Sequence, residues 1–164
     1  MRRSDREITD KKEIMNIFAG SKVLHLGLVD DGMPYVVPMN FGYEEIDGQL
    51  YIYMHGAVEG RKLDIIRKNP NCCFEMECKV EEFEGNLPCQ YGTAFESVMG
   101  NGKAEILESP EDKMHALSVL MKTQTAKDFE FNEKLVSVVS VLRIVVSDYT
   151  AKRRPNPKKA RETV

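Results

Sequence analysis

The chain has 164 residues, of which 42% are hydrophobic and 30% are charged, a mixture that fits one globular domain and excludes a chain disordered throughout. Lys and Arg number 23 against 26 Asp and Glu, and the resulting net charge of −3 is a poor match for a nucleic-acid-binding protein. Because no stretch approaches the roughly 18 apolar residues of a membrane helix, and no apolar signal region follows the N-terminus, we expect a soluble cytoplasmic protein.

The first third of the chain predicts a helix followed by a hairpin. The helix begins near Asp10, with Glu13 as the capping partner, and ends at Gly20. Apolar residues then alternate over 23–29 and again over 35–43, and a turn pattern of two aspartates and a glycine separates the two segments. The pair is therefore predicted to form a β-hairpin.

The rest of the chain predicts four more strands and two more helices. The strands have alternating apolar residues and lie at 50–55, 72–78, 93–107 and 136–149, the third of them with a bulge or kink at Gly100-Asn101-Gly102. The helices lie at 59–69 and from the cap Ser109-Pro110 onward. Short connections between successive strands predict an α+β, mainly β fold, an antiparallel barrel or sandwich and not a parallel Rossmann sheet.

The segment 55–63 joins the end of a strand to a helix that opens with two cations, Arg61 and Lys62. Cations at a helix N-terminus oppose the helix dipole and normally cost roughly a few tenths of a kcal/mol. With an anion bound, however, the free N–H groups, a guanidinium and an ammonium together form a phosphate site. The alternative is a solvated basic turn, and the spacing by itself leaves both open.

The strand predicted over 35–43 contains a proline. Because Pro38 cannot donate to a strand ladder, this strand is predicted to be an edge or to be locally freed from pairing. Backbone freed in this way is available to a ligand, with Asn40 beside it as donor and acceptor. An ordinary edge strand that its proline protects from aggregation is the alternative.

The cysteines and histidines form no metal or hydrolase pattern. The four cysteines, at 72, 73, 78 and 89, match no zinc spacing, and we interpret them as reduced thiols that behave as small hydrophobic residues. In the strand at 50–55, Tyr53 and His55 are predicted on the face opposite the apolar one. We interpret His25 as a packed or interface residue and His115 as a surface residue. No catalytic Ser-His-Asp order and no His-Glu-x-x-His pattern is present.

Ordered blocks of the sequence carry a family resemblance. They are Tyr35-Val36-Val37-Pro38-Met39-Asn40-Phe41-Gly42-Tyr43, Leu50-Tyr51-Ile52-Tyr53-Met54-His55-Gly56-Ala57, Gly60-Arg61-Lys62 and Phe95-Glu96-Ser97-Val98-Met99-Gly100-Asn101-Gly102-Lys103-Ala104. As a set they resemble the FMN-binding split barrels of the pyridoxamine 5′-phosphate oxidase-like superfamily, and most closely its nitroimidazole-resistance branch. The resemblance implies a homodimer of six-stranded antiparallel split β-barrels with short flanking helices and with two FMN sites in the subunit interface.

The resemblance also implies roles for individual residues. Arg61 and Lys62 would hold the FMN phosphate, and His55 and Ala57 would line the same site. His55 stands where the nitroimidazole-resistance branch has a characteristic active-site histidine, and we therefore expect it to be catalytic. The remaining cofactor-binding positions fall into two groups. The main chain of Val37, Pro38, Met39 and Asn40 would contact the isoalloxazine ring, and Ser97 and Val98 would reach the flavin from the partner subunit.

The activity that the resemblance implies is an FMN-dependent oxidoreductase, which passes electrons from NADH or NADPH to a small electron-poor acceptor such as a nitroaromatic. Vitamin B6 oxidation is disfavoured, because the chain has no Trp and Arg153-Arg154-Pro155 is only a faint match to the substrate-phosphate motif of pyridoxamine phosphate oxidases. Two alternatives stay open. One is a flavin-binding carrier or sensor without turnover, and the other is a related split barrel that holds haem or a deazaflavin.

The last residues of the chain differ in composition from the rest. Six cations and two prolines lie within 152–161, and we predict a flexible basic tail over 152–164 behind a flavin-binding domain that spans 1–151. Because the rest of the chain is acidic, the tail does not indicate nucleic-acid binding. Lys152 and Arg153 follow the last strand closely enough to reach a flavin phosphate. A role in phosphate binding is therefore an alternative to the flexible tail for these two residues.

Overall fold

A computed structural model describes residues 3–158 of the chain. Between these limits it contains eight strands and four helices, together with two short 3-10 turns. In chain order they are β1 (Glu7–Ile8), α1 (Lys11–Gly20), β2 (Leu24–Asp30), β3 (Met33–Met39), β4 (Phe41–Ile46), β5 (Gln49–Gly56), α2 (Arg61–Lys68), β6 (Asn71–Phe83), β7 (Gly92–Leu107), α3 (Pro110–Thr125), α4 (Glu133–Val136) and β8 (Ser140–Arg154). The fold is mainly β, as the sequence predicts.

The strands belong to one sheet with the order β3-β2-β6-β7-β8-β5-β4, and β1 pairs with β8 off this path. The expected six-stranded barrel is wrong in its strand number: the described residues form eight strands, and the sheet is not closed. One extra strand is the two-residue β1. The other arises because the predicted strand over 35–43 is two strands that separate at Asn40 and lie at opposite ends of the sheet. Apolar alternation continues across Asn40, so the sequence pattern does not reveal the break.

Helix caps follow the sequence closely at two of the helices. The Asp10 carboxylate accepts a hydrogen bond from the Glu13 main-chain N–H at 2.9 Å, and the Ser109 hydroxyl accepts one from the Asp112 N–H at 3.4 Å. Both contacts satisfy a donor that the helix itself leaves free. The helix predicted over 59–69 is shorter, Arg61–Lys68, because Gly60 at the N-cap has a φ of +140° that continues no helix.

β7 continues as one strand through residues 100–102, where the sequence predicts a bulge or kink. Gly100 and Gly102 allow neighbouring groups to pack closely against β7. A methyl group at Gly102 would lie 2.5 Å from the Val145 carbonyl oxygen, and one at Gly100 would overlap the Phe74 ring. The strand predicted over 136–149 is displaced, because Val136 is the last residue of the short helix α4, a turn follows over 137–139, and β8 begins at Ser140.

Two compact units can be distinguished within the chain. The larger unit comprises residues 22–75 and 100–149, and α3 packs on β4 and β5 there through a buried apolar cluster: Tyr53, Leu107, Ala116, Leu117, Val136 and Val141. The described part of the smaller unit comprises residues 3–21, 76–99 and 150–158, and Ile17, Phe18, Met76 and Val98 are fully buried in it. Strands β6, β7 and β8 contribute residues to both units.

The predicted boundary between domain and tail, after residue 151, falls inside β8, which continues to Arg154. Residues 159–164 of the predicted tail lie outside the described residues, as do residues 1 and 2. Within residues 3–158, no helix has the length and apolar character needed to cross a membrane.

Candidate functional site

The N-terminus of α2 is the first feature of the candidate site. β5 ends at Gly56, an exposed connection follows, and α2 begins at Arg61. No side chain of the described residues caps this helix; the Gly60 carbonyl accepts from the Leu63 N–H at 2.9 Å, which closes the first turn. The first N–H groups of α2 therefore face outward with the positive end of the helix dipole, an arrangement suited to an anion.

Lys62 lies over the end of β5. A methyl group at Gly56 would be 2.7 Å from the Lys62 Nζ, so the glycine leaves the space that the ammonium occupies. Lys62 is half-buried, and its ammonium makes no hydrogen bond or ion pair with another residue between 3 and 158. An unpaired ammonium beside a free helix N-terminus fits a phosphate group.

Arg61 adds a guanidinium to the same helix turn. Its Nε donates to the Asp30 carboxylate at 3.0 Å, and its guanidinium carbon lies 4.9 Å from the centre of the Tyr35 ring. The side chain remains 61% exposed. The sequence prediction that Arg61 and Lys62 share one turn of α2 is thus met, and the residue types present fit the phosphate of FMN.

His55, in β5, and Ala57, in the connection that follows, flank Gly56, and both are exposed. His55 pairs with Val141 of β8 in the strand register. Within the described chain, the imidazole of His55 has no hydrogen-bonding partner. Its ring nitrogens are therefore open to a small molecule. His55 lies at the end of β5, Ala57 follows in the connection, and Arg61 and Lys62 lie in the first turn of α2.

The other predicted main-chain contacts lie in β3. This strand is at the end of the sheet, which confirms the edge position that Pro38 indicates. Val37 and Met39 pair with the buried Leu26 and Leu24 of β2, and Pro38 faces His25 across the pair. The side-chain N–H of Asn40 donates to the Lys22 carbonyl at 3.1 Å, so the amide of Asn40 already has one partner within the chain.

Ser97 and Val98 lie in β7, within the smaller unit. Their side chains are 5% and 0% exposed. Because both side chains are packed inside the chain to which they belong, the structure does not present them as free surface groups. Their contact with a flavin of a partner subunit stays a prediction.

The smaller unit contains a buried ion-pair network that sequence reasoning missed. Glu96 is 6% exposed and accepts from Arg153 Nε at 2.6 Å and from Lys79 Nζ at 2.9 Å. Arg153 also donates to Glu13 at 3.2 Å. Burial by itself would raise the pKa of Glu96, but the hydrogen bonds from Lys79 and Arg153 hold it below its ordinary value. Arg153 is thus held by two carboxylates, and the Glu13 side chain bonds it while the Glu13 N–H donates to the capping Asp10.

A second polar cluster connects α3 with the sheet of the larger unit. The Tyr53 hydroxyl donates to Glu44 at 2.7 Å, and the His115 ring bonds the same carboxylate oxygen. Tyr53 lies on the strand face opposite Ile52 and Met54, and it is only 3% exposed because α3 covers that face. Burial and the bond to Glu44 raise the pKa of Tyr53 above its ordinary range.

The interpretation of the cysteines as small hydrophobic residues fits two of the four. Cys72 and Cys78 are buried, and burial raises the pKa of the Cys72 thiol to about 12, which leaves it protonated and unreactive. Cys73 and Cys89 are exposed. His25, which we interpreted as packed, bonds Glu75 of the neighbouring strand at 3.3 Å. Across residues 3–158, no group of three or more His, Cys, Asp and Glu side chains has a geometry that could hold a metal ion.

Comparison with known proteins identifies the family of the chain. Residues 10–153 match the family model of pyridoxamine 5′-phosphate oxidase, and the chain belongs to that family. A solved structure of a candidate 5-nitroimidazole antibiotic resistance protein from Bacteroides thetaiotaomicron is 34% identical, with a TM-score of 0.77 over 90% of this chain and 86% of that one. No curated protein sequence matches the chain.

More distant solved structures share the fold. The flavocytochrome Anf3 from Azotobacter vinelandii is 19% identical with a TM-score of 0.76, over 96% of this chain and 73% of that one. An FAD- and haem-binding protein from Mycobacterium smegmatis is 14% identical with a TM-score of 0.76, over 96% and 80%. At these identities the likeness establishes the split-barrel architecture and nothing of the ligand.

Proposed function

We propose that this protein is an FMN-dependent oxidoreductase that uses NADH or NADPH to reduce a small electron-poor acceptor, with a nitroaromatic as the substrate class. The 34% identity to the candidate 5-nitroimidazole antibiotic resistance protein over 90% of the chain is the observation that carries this proposal. Nicotinamide donors are abundant in the cytoplasm, and the proposal places the reaction there. The working unit is a homodimer with FMN at the subunit interface.

In this proposal the N-terminus of α2 holds the phosphate of FMN. Arg61 and Lys62 contribute two cations next to uncapped N–H groups, and Gly56 leaves room for the Lys62 ammonium. Ala57 lines the same site, and the main chain from Val37 to Asn40 lies along the ring. Ser97 and Val98 complete the site from the partner subunit. The bound flavin supplies two-electron chemistry that no amino-acid side chain offers.

His55 acts as the proton donor to the acceptor. Reduction of a nitro group to a nitroso group takes a hydride equivalent from the donor and one further proton, and releases NAD(P)+ and water. The imidazole of His55 is exposed and has no partner among residues 3–158, so a ring nitrogen is available to donate to a nitro oxygen as negative charge builds there.

The experiment that tests the proposal begins with the visible spectrum of the protein purified without added cofactor, followed by release and chromatography of any chromophore. Oxidation of NADH and NADPH is then measured without oxygen in the presence of a 5-nitroimidazole. We expect an oxidised-flavin spectrum, release of FMN and acceptor-dependent turnover.

Each other outcome favours a different function. Flavin that neither nicotinamide reduces would favour the carrier or sensor. A haem or deazaflavin spectrum would be compatible with the split-barrel fold but would reject FMN-dependent chemistry. Colourless protein that also fails to bind added FMN would reject the proposal.

A further inference from the structure

The hairpin between β2 and β3 contacts α2 through two ion pairs of different quality. Asp30, the last residue of β2, accepts from Arg61 Nε at 3.0 Å, and its side chain is 20% exposed. Asp31, the next residue, lies 4.0 Å from Lys68 Nζ, with both side chains well exposed. The first pair is at the N-terminus of α2 and the second at its C-terminus. Only the first involves a residue of the proposed phosphate site.

The Arg61 guanidinium is held on one edge and one face. Asp30 engages only Nε, and the Tyr35 ring faces the guanidinium carbon at 4.9 Å. Nη1 and Nη2 make no hydrogen bond with any residue from 3 to 158. Two side chains therefore set the position and plane of the guanidinium, while the donors that suit a phosphate remain free.

We propose that Asp30 and Tyr35 are positioning residues that hold Arg61 ready for the phosphate of FMN and thereby make the site select FMN over riboflavin. The inference rests on the proposed function, since it assigns roles within the same cofactor site. An unrestrained arginine loses much rotamer freedom when it binds a ligand. Restraining the side chain beforehand reduces that loss, and the gain appears only for a ligand that carries the phosphate.

If Asp30 acted only through its charge, the expected effect of removing it on FMN binding would be the opposite of the effect expected from positioning. A carboxylate next to the site repels a phosphate, so its removal would tighten FMN binding if Asp30 acted only through its charge. Positioning predicts that removal weakens FMN binding. The direction of the change therefore separates the two roles.

The experiment is a fluorescence titration of the flavin-free protein with FMN and, separately, with riboflavin, which lacks the phosphate. The unaltered protein should prefer FMN by at least about 100-fold, as expected for two charge-assisted contacts. Asp30→Asn should reduce this preference about tenfold and leave riboflavin affinity unchanged. Asp31→Asn is the matched control, because it removes the same charge from the adjacent residue and should leave the preference intact.

Variants of Tyr35 provide a second measurement that does not depend on Asp30. Tyr35→Phe retains the aromatic face and should keep the FMN preference. Tyr35→Leu retains an apolar side chain without the aromatic face and should reduce the preference by about threefold to fivefold, as expected for a partly exposed cation–π contact. Circular dichroism and thermal unfolding of each variant establish that it is folded.

Several outcomes would overturn the inference. An unchanged or larger FMN preference in Asp30→Asn would show that Asp30 does not position Arg61, while the proposed function would stand because FMN still binds. An equal loss in Asp31→Asn would mean that hairpin charge in general matters. Failure of the unaltered protein to bind either flavin would reject the proposed function and this inference with it.

Discussion

Lys79 forms a 2.9 Å ion pair with the buried carboxylate of Glu96 while its own backbone has a φ of +53°, a conformation that few residues other than glycine adopt. A left-handed lysine costs about 1 kcal/mol or more and persists only where its surroundings stabilise it. The ion pair with a carboxylate that is 6% exposed is such a stabilising contact. The pair belongs to the network that also includes Arg153.

The first prediction concerns acid stability. Since the folded-state pKa of Glu96 lies below its ordinary value of 4.5, the ionised form is stabilised by folding. This contribution is present above pH 4.5 and is lost as the pH falls through the lowered pKa. Glu96→Gln should reduce the free energy of unfolding at neutral pH by about 3 kcal/mol and flatten the loss of stability in acid.

Chemical denaturation across this pH range measures both effects. Glu13→Gln is the control, because Glu13 bonds the same Arg153 from a side chain that is 47% exposed. It should cost less than about 1 kcal/mol. A similar loss of unfolding free energy in both variants would contradict the conclusion that the buried carboxylate of Glu96 contributes more to stability than the exposed one of Glu13.

The second prediction concerns the phosphate site. Reversing both cations, with Arg61→Glu and Lys62→Glu together, places two negative charges at the uncapped N-terminus of α2 and should abolish FMN retention during purification. Arg67→Glu with Lys68→Glu makes the same change of charge at the other end of the same helix. The control protein should remain yellow, and the FMN released per chain measures the difference. FMN retained by the first variant would show that the phosphate binds elsewhere.

The third prediction concerns His55. His55→Ala should bind FMN and accept electrons from the nicotinamide donor as the unaltered protein does, but should reduce the nitro acceptor about 100-fold more slowly, because it lacks the proton donor. Stopped-flow measurement of the two half-reactions separates these steps. His115→Ala serves as the control, since His115 lies on α3, bonds Glu44 and is not among the proposed site residues. Equal acceptor turnover in His55→Ala would remove this histidine from the mechanism.

Local chemistry in the sequence was sufficient to predict the caps at Asp10 and Ser109 and the cations at Arg61 and Lys62, because each of these features depends on neighbours within a few residues. It was insufficient for the contact between Asp30 and Arg61. That contact joins residues 31 positions apart, and no periodicity encodes it.

The burial of Tyr53 illustrates a second limit. Alternation in β5 correctly places Ile52 and Met54 on one buried face, but it does not show what covers the opposite face. Whether a helix covers that face depends on a segment some 60 residues later along the chain, α3, whose residues Ala116 and Leu117 pack there. A strand with both faces covered needs information that the strand itself does not contain.

The fourth prediction concerns the close packing of α3 on β4. A methyl group at Gly42 would overlap the Leu120 Cα and lie 2.6 Å from the Leu120 nitrogen, so the helix backbone would have to move. Gly42→Ala should therefore destabilise the protein by about 2 to 3 kcal/mol. Gly20→Ala is the control, because a methyl group there would be 3.3 Å from the Cys78 sulfur, and it should have a smaller effect. Denaturant unfolding monitored by circular dichroism compares the two, and equal costs would contradict the packing argument.

The fifth prediction concerns the open edge of the sheet at β3. The register places Pro34 opposite Val29, Val36 opposite Gly27 and Pro38 opposite His25. Residues two apart in an antiparallel strand point their N–H groups in the same direction, and a proline cannot occupy a position that donates to its partner strand. The N–H of Val36 therefore points away from β2, and both prolines remove the donors that would flank it on the edge.

With both prolines in place, the outer edge of β3 offers one N–H donor, from Val36, at three successive outward positions. Another strand therefore pairs poorly with this edge. Pro34→Thr restores a second outward donor and raises β propensity, so the folded variant should associate more readily on mild heating. Light scattering during a temperature ramp measures this, with Pro155→Thr, an exposed proline outside the strands, as the control. If Pro34→Thr scatters no more than the control while its unfolding temperature is unchanged, the prolines do not protect this edge.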